Sequence, residues 1–78
     1  MSQPTLAQLG AAIRALRVSR ELSAEDLAAK ANIHWTSVSR IERGVQNVSW
    51  TTIMVLGTAL EVELVDLINS ASTFDPTQ

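Results

Sequence analysis

The amino-acid sequence predicts an all-α fold, a single small domain built from five short helices. The chain has 78 residues, about half the usual length of a domain. Aliphatic residues recur at helical spacing in five of its segments, and no segment alternates apolar and polar residues as a half-buried strand does. The domain is therefore predicted over residues 1–70, and a flexible tail is predicted over 71–78.

The first two helices are predicted at 5–19 and 24–31. The apolar stripe of the first consists of Leu6, Leu9, Ile13 and Leu16. Thr5 is a possible N-cap of this helix, and Ser23 is a strong N-cap of the second, with two acidic residues in the first turn where the helix dipole favours them. Asn32 then tolerates the left-handed conformation that ends a helix. A tight turn is expected at this point.

The remaining helices are predicted at 34–43, 50–60 and 63–70. Gly44 is the expected stop of the third helix, and Ser49 is a candidate N-cap of the fourth. The inward-facing residues of the third and fourth helices are predicted to be Val38, Ile41, Ile53, Leu56 and Leu60. In the fifth helix, Leu64, Leu67 and Ile68 form an apolar stripe that Val65 widens.

Residues 24–43 have the pattern of a helix-turn-helix unit. Ala28 is small where the two helices must approach closely, Asn32 permits the turn, and Val38 and Ile41 pack the second helix back onto the first. An incidental helix pair in a compact bundle is the alternative, because such pairs share some of these features.

Charge is distributed unevenly along the chain. Residues 1–44 hold all six basic side chains against four acidic ones, whereas residues 45–78 hold four acidic side chains and no basic one. The first part can therefore face a polyanion. No apolar run approaches the roughly 20 residues of a membrane span, and the N-terminus lacks the features of a signal peptide. A cytoplasmic protein is expected.

Several segments resemble the Cro and lambda-repressor-like regulators known as the Xre family. The resemblance runs from Leu9 to Ile68 through LGAAIRALR, LSAEDLAAKANI, TSVSRIERG, QNVS and ALEVELVDLI. Within that family, ANIHWTSVSRIERGVQNVS is most similar to the controller proteins of restriction-modification systems. The resemblance implies a compact lambda-repressor-like domain with helix 3 as the recognition helix. It also implies a transcriptional regulator that binds a pseudo-palindromic operator in double-stranded DNA as a homodimer, without a cofactor.

The open face of helix 3 supplies the candidate base-reading residues. These are Trp35, Thr36, Ser39 and Arg40. Arg40 suits the O6 and N7 atoms of guanine, although a phosphate is an equal alternative. Trp35 is expected to meet a thymine methyl group or the sugar-phosphate wall, with packing on the neighbouring loop as the alternative. Thr36 reaches a base edge in this reading, and Ser39 is either a base reader or a solvated helix residue.

Further polar residues are candidates for phosphate contacts. They are Arg17, His34, Arg43, Gln46, Asn47 and Ser49. Ser49 has the capping of helix 4 as an alternative role, and His34 stands where the family usually has a Ser or Thr cap. The resemblance implies that Arg17 and Glu42 form a largely buried ion pair between helices 1 and 3. Ala24 replaces a glutamine that commonly holds a phosphate in the family, which puts one such contact in doubt.

A dimer surface is predicted on helix 5 and the adjoining end of helix 4. Its candidate residues are Leu64, Val65 and Ile68, because the apolar residues of helix 5 cover more of a short helix than one small core can use. Placing this acidic part of the chain at the twofold axis also keeps its carboxylates away from the phosphates.

Two other classes of function are less well supported by the sequence. Catalysis would need convergent titratable groups, and the only histidine, His34, has no acid or nucleophile beside it in the sequence. With no cysteine and one histidine, no metal site is expected. A protein-interaction or antitoxin-type module is a real alternative, because a pI of about 5.1 is low for a DNA-binding protein.

Overall fold

The computed structural model describes residues 5–73, and they form five α-helices. The helices are α1 (Leu6–Ser19), α2 (Ala24–Ala31), α3 (Trp35–Glu42), α4 (Trp50–Ala59) and α5 (Leu64–Thr73). No strand occurs within this range. The predicted all-α, five-helix class is confirmed.

Side-chain caps fix the start of the first four helices. The capping atoms belong to Thr5, Ser23, His34 and Ser49, and each accepts a hydrogen bond from a backbone N–H in the first turn of its helix. In α2 the cap is reciprocal, because the Asp26 carboxylate accepts the backbone N–H of Ser23 at 3.0 Å. This backbone bond is the largest cause that holds the pKa of the Asp26 carboxyl below its usual value, and the Ser23 hydroxyl beside the carboxylate adds to the effect.

Two helices end in the left-handed conformation that the sequence predicts. Asn32 closes α2 with a φ of 56°, and Gly44 follows α3 with a φ of 72°. Glu61, just after α4, adopts the same conformation with a φ of 59°. The turn geometry of α2, α3 and α4 is therefore set within a few residues of each helix end.

The core lies where all five helices meet. Its largest fully buried side chains are Ile13, Leu27, Val38, Ile41, Leu56, Leu60 and Leu67. Helix α1 packs against α3 and α5, whereas α2 packs against α3 and α4. Helix α3 is thus supported from behind by its neighbours, and its opposite face is left open. Leu6, predicted on the inner stripe, is instead 38% exposed in the first turn of α1.

The predicted end of helix 5 at residue 70 was wrong. The helix continues to Thr73, and Ala71 is fully buried. Ala71 lies one turn beyond Leu67 and extends the same inner stripe. Packing of Ala71 therefore keeps residues 71–73 helical, although they were predicted to belong to the tail. The rest of the predicted tail, 74–78, lies outside the described residues. Within residues 5–73, no helix is long and apolar enough to cross a membrane.

Candidate nucleic-acid interface

Helices α2 and α3 are joined by a turn of three residues that fixes their relative orientation. After Asn32 reverses the chain, the N–H of Ile33 donates to the carbonyl of Ala28 at 3.0 Å. Ala28 is only 4% exposed, and Val38 and Ile41 of α3 are buried behind it. The close approach that predicted a helix-turn-helix unit is therefore present, and it leaves one face of α3 without intramolecular packing.

The open face of α3 brings together all four predicted base-reading residues. With Arg43, they line a shallow concavity of about 200 Å³ whose residues are Trp35, Thr36, Ser39, Arg40 and Arg43. The indole of Trp35 is 50% exposed. Arg40 is exposed, and its guanidinium makes no hydrogen bond to any other residue between positions 5 and 73. The concavity thus contains both a free planar donor and an aromatic ring.

His34 caps α3 through its ring. Nδ1 accepts the backbone N–H of Thr36 at 3.3 Å and lies 2.8 Å from the Thr36 hydroxyl. A nitrogen that accepts carries no hydrogen, so we assign the neutral tautomer with the hydrogen on Nε2, and the hydroxyl donates to Nδ1. Nε2–H is then available to a phosphate oxygen, whereas the Thr36 oxygen can only accept at a base edge.

An ion pair fastens α3 to α1. The Arg17 Nε and Nη2 atoms donate to the two carboxylate oxygens of Glu42 at 2.7 and 3.0 Å, and Nη1 donates to the carbonyl of Leu22 at 2.7 Å. The two side chains are only 13% and 7% exposed. The hydrogen bond to Glu42 is the largest cause that raises the pKa of Arg17. The implied ion pair is confirmed, and because all three guanidinium nitrogens are engaged, little of Arg17 remains for a phosphate.

The other predicted phosphate-binding residues lie around the loop after α3. Ser49 accepts the N–H of Thr52 at 3.1 Å, so it caps α4, which was one of its two predicted roles. Arg43 is exposed, and its Nε makes only a long bond of 3.4 Å to a carbonyl in its own helix. Gln46 is half-buried and Asn47 is exposed in the loop. Their contacts with phosphate stay predictions.

Gly10 is a residue of this region that the sequence reasoning missed. A Cβ at this position would lie 2.2 Å from the carbonyl oxygen of Ile41 and 2.7 Å from that of Glu42. The backbones of α1 and the end of α3 therefore touch, and only glycine allows this contact. The signal in the sequence that marks this contact is a glycine in the middle of a strongly predicted helix.

The predicted dimer surface is only partly as expected. Val65 is 63% exposed and Ile68 is half-buried, but Leu67 is fully buried in the core and does not add to a surface. The side chain of Leu64 lies outside the described part of the chain.

Two exposed apolar residues of α4 were not predicted as surface residues. Trp50 is 63% exposed and Met54 is 49% exposed, one helical turn apart. Met54 also lines a cleft of about 660 Å³ together with Glu61, Glu63 and Asp66 at the start of α5. The exposed side of α4 and the start of α5 therefore face the same region of solvent.

Comparisons with known proteins point to one class of regulators. A family described as "Helix-turn-helix domain" matches residues 8–69. Control protein C.BamHI of Bacillus amyloliquefaciens is 39% identical over 61 residues, which are 77% of this chain and 75% of that protein.

Solved structures of such proteins share the fold. The restriction-modification controller protein C.AhdI from Aeromonas hydrophila is 39% identical, with a TM-score of 0.78 over 80% of this chain and 94% of that one. The restriction-modification controller protein C.Esp1396I, solved as a tetramer with its natural 35 base-pair operator, is 28% identical. Its TM-score is 0.80 over 86% of this chain and 88% of that one.

Proposed function

The chain belongs to the helix-turn-helix domain family, and on that premise we propose that it is a homodimeric, sequence-specific regulator of transcription that controls a restriction-modification system. The observation that carries the proposal is the open face of α3, where an Arg40 unpaired within residues 5–73 and Trp35 line one concavity in a chain similar to controller proteins. The similarity to C.Esp1396I, which was solved on its operator, favours DNA over a protein partner as the main ligand. The protein acts in the cytoplasm, without catalysis and without a cofactor.

Recognition follows from placing α3 in the major groove. Arg40 donates to a guanine edge, and Thr36 and Ser39 present oxygens to neighbouring bases. The phosphate contacts come from residues at both ends of α3 and from the following loop, and they fix the register of the helix. They are His34, Arg43, Gln46, Asn47 and Ser49, whereas Arg17 of α1 adds little because Glu42 and the Leu22 carbonyl already engage its guanidinium.

A twofold dimer doubles these contacts. One domain of this size reads few base pairs, so useful affinity requires two copies on a pseudo-palindromic site. The dimer surface comprises Trp50 and Met54 of α4 with Leu64, Val65 and Ile68 of α5. It contains exposed apolar residues and lies beside the carboxylates of Glu61, Glu63 and Asp66. At the twofold axis these carboxylates repel one another, so raised salt tightens the dimer while it weakens DNA binding.

The proposed function is tested by selecting bound duplexes from a random library and measuring their affinity by gel shift at increasing salt. We expect a pseudo-palindromic consensus and a moderate salt slope, because few basic residues face the DNA and several polar contacts carry no charge. Absence of binding at low salt, by protein that circular dichroism shows to be folded, contradicts the proposal.

Replacing Arg40 with alanine should weaken binding to the selected site by about 1–3 kcal/mol per half-site and relax the preference at one base pair in each half-site. Thermal stability should barely change, because the side chain is exposed and unpaired within residues 5–73. Arg20→Ala is a charge-matched control, since Arg20 lines a separate cleft with Ala59 at the end of α4. If both variants lose affinity equally and neither changes the consensus, Arg40 acts only through its charge.

Replacing Val65 with aspartate should convert the dimer into a folded monomer that binds the operator far more weakly. A carboxylate at a residue that is 63% exposed costs the monomer little, but it must be desolvated in the interface. Sedimentation equilibrium measures the outcome. Val18→Asp is the matched control, because Val18 is 54% exposed on α1. The surface is wrong if Val65→Asp and Met54→Asp both remain dimeric, or if the parent protein is monomeric at about 50 μM.

A further inference from the structure

The concavity on α3 combines an apolar wall with a charged planar group. Residues four apart lie above one another on a helix, so its lining forms two ridges, one with Trp35, Ser39 and Arg43 and one with Thr36 and Arg40. The indole is half exposed, and the Arg40 guanidinium has no partner among residues 5–73. A phosphate would be held by Arg40 and Arg43 alone, leaving the indole unused. The indole therefore favours a ligand that has an apolar part.

The apolar wall has neighbouring groups at the start of α3. The His34 ring stacks beside the Trp35 indole, with 6.4 Å between ring centroids and 28° between planes, and its Nδ1 is bonded to Thr36. The Thr36 oxygen is turned toward His34, so tetrahedral geometry at Cβ turns the methyl group away from the ring. Restraint of this kind lowers the entropic cost of binding an apolar group.

The Arg40 guanidinium offers two different surfaces. Its edge presents paired N–H donors that match the O6 and N7 atoms of guanine, and its flat face is weakly hydrated and stacks well on planar or apolar groups. A ligand that fits both the edge and the face must place a guanine next to an apolar group within the same groove.

We propose that this concavity reads the 5-methyl group of a pyrimidine on the 5′ side of a guanine. The proposal rests on the proposed function and specifies which base step that function selects. In such a step, the C5 substituent of the pyrimidine and the acceptors of the guanine are neighbours on the major-groove edge of one strand. Arg40 donates to the guanine, while the methyl group packs between the guanidinium face and the Trp35 indole. Thymine and 5-methylcytosine carry the same methyl group, so both fit.

The experiment removes single methyl groups from a duplex chosen by selection from a random library. Each thymine that precedes a guanine is replaced by deoxyuridine. In a second series, the pyrimidine of the same step is cytosine or 5-methylcytosine. Affinities are measured by fluorescence anisotropy at fixed salt. We expect one position per half-site where loss of the methyl group lowers affinity about fourfold, and about sixteenfold when both half-sites are changed. 5-Methylcytosine should exceed cytosine by a similar factor.

Protein variants connect this effect to the concavity. In Trp35→Ala, the ratio between thymine and deoxyuridine should fall to about one, whereas Trp35→Phe should keep part of it. Val18→Ala is the control, because Val18 is 54% exposed on α1 and lies outside both the concavity and the proposed dimer surface, and its ratio should stay at the parental value.

The outcomes separate this proposal from the proposed function. If the methyl group raises the affinity in the thymine series alone, the site is assigned to thymine. If it raises the affinity equally in both series, the site is assigned to the methyl group of either base. A protein that binds its selected duplex but shows no methyl effect in either series overturns this proposal and leaves the proposed function standing. A consensus without a pyrimidine–guanine step, or a methyl effect that persists in Trp35→Ala, also overturns it. Failure to select any duplex refutes the proposed function itself.

Discussion

Replacing Glu42 with glutamine is expected to lower the free energy of unfolding by about 3 kcal/mol, because it leaves the Arg17 guanidinium largely buried without its counter-charge. Glu42 accepts two hydrogen bonds from Arg17, at 2.7 and 3.0 Å, and a glutamine must place its own N–H₂ group against one of those donors. The loss lies at the lower end of the range for buried pairs, since Arg17 keeps its bond to the Leu22 carbonyl. For a domain of this length the melting temperature should fall by at least about 12 °C.

Thermal and urea unfolding of a double-mutant cycle measure this effect. Arg17→Met and Glu42→Leu should each destabilise the protein, whereas the double variant should recover much of the loss, because it leaves no unpaired charge in the core. Glu61→Gln is the control, since this exposed carboxylate should change stability by no more than about 0.5 kcal/mol. If the double variant loses as much stability as the two single variants together, the two side chains stabilise the fold independently of their pairing.

The parts of the fold that depend on neighbours in the sequence were predictable. The caps at Ser23 and Ser49 and the left-handed residues Asn32 and Gly44 act within about four residues of their own position. The helix-turn-helix unit is built mostly from such local signals, with Ala28, Val38 and Ile41 as the packing residues that the pattern required. Its four base-reading candidates therefore meet on one face as expected.

The parts that depend on distant contacts were not predictable from the residues alone. Arg17 and Glu42 are 25 positions apart, and only the family resemblance implied their pairing. Helix α4 carries apolar residues around most of its circumference, so its correctly predicted inner face of Ile53, Leu56 and Leu60 does not tell which other apolar residues stay exposed. Trp50 and Met54 for this reason escaped notice as surface residues. The end of α5 was missed because burial of Ala71, and not the propensity of its small neighbours, keeps that segment helical.

Replacing Gly10 with alanine should destabilise the protein by more than any other substitution considered, by several kcal/mol. Helix propensity alone gives the opposite sign, since alanine is favoured over glycine inside a helix by about 1 kcal/mol. The structure decides between these effects. The added Cβ would lie 2.2 Å from the Ile41 carbonyl oxygen and 2.7 Å from that of Glu42, and both are backbone atoms that no rotamer change can move. Helices α1 and α3 would have to separate by about 1 Å to restore van der Waals contact.

Gly57→Ala is the matched control for this prediction, because it makes the same change inside a helix without the clash. There the nearest atom to the new Cβ is the Val62 carbonyl oxygen at 3.4 Å, an ordinary contact, so Gly57→Ala should be neutral or stabilise by up to about 1 kcal/mol. Urea denaturation of Gly10→Ala, Gly57→Ala and the parent protein measures whether each alanine raises or lowers the free energy of unfolding. Any Gly10→Ala protein that remains folded should also bind DNA more weakly, because the displaced end of α3 carries Arg40 and Arg43. Equal stabilisation by the two alanines would mean that α1 and α3 do not touch at Gly10.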